Sequence, residues 1–222
     1  MGNIGSIATS SSANNAEVHC TSEFSTPEEC YNAFDENCEM PILIKDSIVG
    51  NGDAPLNNWR FPKAKALLGF PVNASSLNVS GNFDYYIPNC ERIKAIHLGG
   101  GVNTFTTTNK LKSLENAFIS RSGNGKVVIT DTSNVETIDN AFPYYNKDIE
   151  LSLPNLINAY NAFDLNNGTF TLTINDLNTT FNASNMFGTA GNASNVNVTI
   201  NTNTPIWKVS NSSGMFSGLQ KL

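Results

Sequence analysis

The sequence is poor in charge. Only 14% of its 222 residues are Asp, Glu, Lys or Arg, and acidic residues outnumber basic ones 19 to 13, for a net charge of −6. That balance argues against nucleic acid and anionic membrane as partners, since both need clustered Lys and Arg. Histidine is scarcer still. His19 and His97 are the only two, too far apart for a metal-binding pair on one helix. The four cysteines, Cys20, Cys30, Cys38 and Cys90, lie in the first 90 residues without a Cys-x-x-Cys pair, which disfavours zinc. The start of the sequence lacks the basic stretch and apolar core of an export signal, so buried free thiols are expected rather than disulfides. No run approaches the ~20 apolar residues of a membrane-spanning helix.

Recognisable catalytic patterns are missing too. Gly99, Gly100 and Gly101 follow a strand-like run but lack the spacing of a dinucleotide loop, and there is no Gly-x-Ser-x-Gly elbow. Glu28 and Glu29 sit where a helix start favours negative charge. No catalytic, cofactor-binding or metal-ligating residue is assigned, and a non-enzymatic protein is expected. The eight Asn-x-Ser/Thr triplets follow from the abundance of asparagine, 34 residues of 222.

What the chain has is a repeat. Five segments end on phenylalanine in the same setting, at Phe118, Phe142, Phe163, Phe187 and Phe216, with gaps of 24, 21, 24 and 29 residues. A period in that range marks a solenoid, whose units bury their apolar sides only against neighbours. After each of the first four phenylalanines comes a polar turn and then a run that is apolar at alternate positions: KVVIT (126–130), IELSL (149–153), FTLTI (170–174) and VNVTI (196–200). These read as strands with one buried face. The inward positions fall nine and eleven places after the phenylalanine: Val127 and Ile129, Leu151 and Leu153, Leu172 and Ile174, Val196 and Val198.

Upstream of each phenylalanine, apolar residues such as Leu111 and Leu114, or Val135 and Ile138, are spaced by three and four. That spacing predicts a short helical turn over the strand layer. An asparagine stands two places before the phenylalanine at Asn116, Asn140, Asn161 and Asn185, where a side-chain bond to backbone would end the turn.

The unit IELSLPNLINAYNAF resembles the BspA-like (Treponema-type) leucine-rich repeat, through Leu153-Pro154, Leu156, Ala162 and Phe163; the likeness is closest over residues 93–187. The cysteine usual after the family's phenylalanine is absent from 110–222, which makes these divergent units. The resemblance implies a parallel-strand solenoid, a role in adhesion or surface recognition, and no reaction.

The expected organisation is therefore an extended polar arm over 1–24, an N-terminal helical cap with an irregular linker over 25–71, and a leucine-rich-repeat-like solenoid over 72–222. The fold is mostly β, a parallel sheet with short helical turns opposite. The cap would start at Thr26-Pro27. KAIHL (94–98) reads as a strand of the array, and the glycines and VNTFTTTN after it as an insertion. The outward strand residues His97, Val128, Glu150, Ser152, Thr171, Thr173, Asn197 and Thr199 form the candidate recognition face. The expected function is protein–protein assembly or host attachment within a larger particle, a bacteriophage virion or tail component. The alternative is a BspA-like adhesin at a bacterial cell surface or outside the cell. Partners would be proteins, met through the arm and the outward face.

Overall fold

The computed structural model describes residues 18–20, 42–44, 58–69, 82–98, 100–119, 125–189, 196–217 and 219. Among them the chain winds as a parallel β-solenoid, with three ladders of short strands along its sides. All strand pairs among the described residues are parallel.

One ladder starts with β1 (Val18–Cys20), β2 (Ile42–Ile44), β4 (Ala66–Gly69) and β6 (Arg92–Lys94). It narrows to single-residue bridges from Arg92 through Ser113, Thr137 and Asn158 to Asn182, where β15 (Phe181–Asn182) meets β18 (Val209–Asn211). A second side holds two sheets, β7 (Ile96–His97) on β9 (Phe118–Ile119), and β11 (Phe142–Tyr145), β13 (Phe163–Leu165) and β16 (Phe187–Thr189) pairing in turn. The third and longest side holds two sheets. In one, β3 (Asn58–Arg60), β5 (Phe83–Tyr86), β8 (Val102–Thr106) and β10 (Lys126–Ile129) pair in turn. In the other, β12 (Ile149–Ser152), β14 (Gly168–Asn175) and β17 (Val196–Asn201) do.

The alternation read from the sequence holds: Val127, Ile129, Leu151, Leu153, Leu172, Ile174, Val196 and Val198 are all buried. Their alignment slides, however. Leu151 pairs with Ile174 rather than Leu172, and Val196 with Gly168. Both slips are even-numbered, which keeps every inward side chain inward.

The phenylalanines form a continuous core. Phe118, Phe142, Phe163 and Phe187 are at most 2% exposed. Successive ring centroids lie 5.3, 4.9 and 5.8 Å apart, and Phe105 extends the row at 5.3 Å from Phe118. Such spacings are those of favourable aromatic pairs.

No helix occurs among the described residues, so the expected helical turns are corrected. Two tight turns in succession produce the three-residue spacing instead. In one unit Leu111 N–H bonds back to Thr108 O and Ala117 N–H to Leu114 O; Val135 to Thr132 and Ala141 to Ile138 repeat the pair. Leu111, Leu114 and Ala117 therefore point inward at steps of three without helical backbone. Asn116, Asn140, Asn161 and Asn185 take φ between 49° and 52° at the third position of the second turn, and Gly214 takes φ 64° there. A positive φ at that position defines a type II turn, and Asn and Gly are the residues that tolerate it.

Parallel pairing also crosses the expected boundary at 72: β1, β2, β3 and β4, within the expected arm, cap and linker, already join the ladders of the solenoid. β8 is a regular rung, not an insertion. The helical start at Thr26 and the arm, apart from β1, lie outside the described residues.

Candidate recognition groove

The long side is interrupted. β8 pairs with β10 and β12 with β14, but no ladder joins β10 to β12. The break comes just after β11, where the register slips between Pro143 and Tyr145 and Tyr144 takes φ 56°. This bulge turns Tyr145 into the core, 1% exposed. Its hydroxyl accepts a bond from Val127 N–H at 3.3 Å and donates to Asp148 O at 3.3 Å. Farther along the seam the Thr132 hydroxyl donates to Ser152 O at 2.7 Å and accepts from Ser152 N–H at 3.0 Å. Two side-chain hydroxyls thus stand where backbone rungs would be.

Over this seam the surface forms an open groove of about 650 Å³. Val128, Glu150, Ser152, Thr171 and Thr173, five of the eight residues chosen from the sequence, line it. Val128, Ser152, Thr171 and Thr173 are half-buried and Glu150 is exposed. Ser152 is already committed: its hydroxyl donates to Asp176 Oδ2 at 2.6 Å. That bond, followed by one from the Asn203 amide, holds the Asp176 carboxyl below its usual range.

The other three chosen residues lie elsewhere. Asn197 and Thr199 are exposed on β17, in register with Thr169 and Thr171, beyond the groove wall. His97 needs correction. It sits in β7, which pairs with β9 on a different side, because the rung of the long sheet in that turn is β8.

Sequence reading missed the groove's ends. Lys126 and Asp148 stand at one end, Asp131 and Ser133 at the other. Asp148 Oδ1 accepts from Thr171 N–H at 2.6 Å, and Asp131 Oδ1 from Ser133 N–H at 2.9 Å and Oγ–H at 2.7 Å. Each carboxylate stands where a strand begins or ends, a position that strand alternation does not reveal.

Two buried groups elsewhere show strong desolvation. Burial, and secondarily Glu91, pushes the Cys90 thiol up to about 12; it is free and buried, which suits packing rather than reactivity. Burial raises the Tyr85 hydroxyl well above its ordinary value. Among the described residues no group of three or more His, Cys, Asp or Glu side chains could hold a metal ion, and no helix is long and apolar enough to cross a membrane. No protein-family model, no characterised protein and no solved structure matches the chain.

Proposed function

We propose that this chain is a non-catalytic recognition protein that binds a partner protein on the long side of its solenoid, within a larger assembly. One observation carries the reading: four polar outward residues, Glu150, Ser152, Thr171 and Thr173, line with Val128 a groove of about 650 Å³ where the sheet is interrupted. A shaped cleft with half-buried walls offers a partner more contact than a flat solvated sheet. The motif likeness to BspA-like repeats, a family of adhesion and surface recognition, supports the same role.

Changing Thr171 and Thr173 together to Lys fills the groove with long charged side chains on positions that face outward. The variant is expected to melt like the parent and to lose the partner that co-purifies with it. Full retention of that partner removes the groove from recognition. The arm is the second proposed contact, and deleting residues 1–17, which spares β1, is expected to weaken assembly. Two settings suit such a protein, a bacteriophage particle and a cell surface. Co-sedimentation with particles supports the first, and a pool released from washed cells the second.

A further inference from the structure

We propose that the groove takes an extended basic segment of the partner protein, with a lysine or arginine side chain held at Glu150. The inference rests on the recognition role given above to the same groove.

Three carboxylates, Asp131, Asp148 and Glu150, line the groove against a single cation, Lys126, a local balance of −2 (one minus three). Two of the three are anchored. Asp131 and Asp148 each use one oxygen to hold a backbone N–H. Glu150 differs, since no described residue donates to its carboxylate or pairs with it. Its charge projects from β12 beside its register partner Thr173, in a lining that includes Val128. A concave wall concentrates such a field more than an open face does.

Spacing selects an extended chain over a small cation. Asp148 immediately precedes β12 and Glu150 is its second residue, so their backbones lie at most about 7 Å apart, close to the repeat of alternate residues in an extended chain. Alternate side chains of an extended peptide repeat at the same interval. A Lys-x-Lys segment laid along β12 therefore meets both carboxylates in register. The chain's own N-terminal segment is a poor occupant, because residues 1–44 contain no Lys or Arg and seven acidic residues.

The test is fluorescence anisotropy of a labelled KTKTKTKT peptide with the full chain, in parallel with spermidine as competitor. Glu150→Gln removes the free charge without disturbing a hydrogen bond. Glu136→Gln, exposed and outside the groove lining, removes the same charge elsewhere. The expected result is binding that weakens about fivefold in E150Q, the upper range for an exposed ion pair, and stays unchanged in E136Q. Spermidine should compete only weakly. No binding, equal losses in the two variants, or spermidine competing as well as the peptide overturns the proposal. If the peptide fails while T171K/T173K still releases the natural partner, the recognition groove stands and only the basic occupant falls. If that variant also keeps its partner, both readings fall.

Discussion

The Tyr145 hydroxyl lies 3.3 Å from the backbone N–H of Val127, one rung away and 18 residues earlier in the chain. It stands in for a ladder bond at the only break in the long side among the described residues. Tyr145→Phe keeps the ring and leaves that buried N–H without its acceptor. The expected loss is about 1–3 kcal/mol, the desolvation cost of an unmet backbone group. Urea unfolding measures it. A midpoint unchanged from the parent means that the hydroxyl does not bridge the seam.

The aromatic row makes a graded prediction. Phe163 is fully buried between Phe142 and Phe187, at 4.9 and 5.8 Å. Its replacement by Ala should cost about 3–5 kcal/mol. Phe216 stacks on Phe187 at 5.5 Å but remains 42% exposed, so Phe216→Ala should cost only about 1 kcal/mol. Equal costs at the two positions would mean that stacking against both neighbours adds nothing.

The parts of this fold that the sequence discloses are those governed by side-chain period. Val127, Leu151 and Leu172 announce their buried face because strand geometry alternates strictly, and that parity survives even where the ladder slips. Steps of three are less informative. Leu111 and Leu114 match a helical turn as well as two consecutive tight turns, and the positive φ of Asn116 separates them. A similar ambiguity placed KAIHL on the long side. Ile96 alternates like its counterparts there, but Asn103 and Phe105 of β8 carry the inward positions of that rung. For the groove, five of the eight residues were legible from outward parity. The break that makes it a groove was not. It accompanies one bulged residue, Tyr144, in a strand of another side, and the Tyr145 hydroxyl that fills the gap.

Alkaline pH should expose the buried phenols. Burial raises Tyr85 and Tyr145 above the ordinary tyrosine value; for Tyr145 the Val127 N–H opposes that shift and Asp148 adds to it. The native state therefore holds these protons more tightly than the unfolded chain. The stability they contribute is complete below about pH 10 and falls as pH rises from there toward the raised native values. Phenolate absorbance should show two tyrosines that ionise only with unfolding, and a Tyr85→Phe/Tyr145→Phe double variant should lack that late step. Ionisation of all tyrosines ahead of unfolding contradicts the burial of these two.

The corner asparagines give the most discriminating substitution. Asn116 takes φ 52°, in the left-handed region, and among the described residues its amide bonds only to the exposed neighbour Glu115. A β-carbon there costs about 1–2 kcal/mol unless the side chain compensates through local polar contacts, as asparagine does. Asn116→Ala should therefore destabilise by about 1 kcal/mol, whereas Asn116→Gly should leave the unfolding midpoint nearly unchanged. Gly214 closes the matching corner of the last turn at φ 64°, where an added Cβ would collide with Asn185 Oδ1. Gly214→Ala carries the backbone strain and also requires the Asn185 amide to move, so its loss should exceed that of Asn116→Ala. If alanine proves as good as glycine at both corners, backbone conformation is not what selects asparagine, and the side-chain bond from Asn161 Nδ2 to Asn140 Oδ1, at 2.9 Å, becomes the better explanation of the repeat.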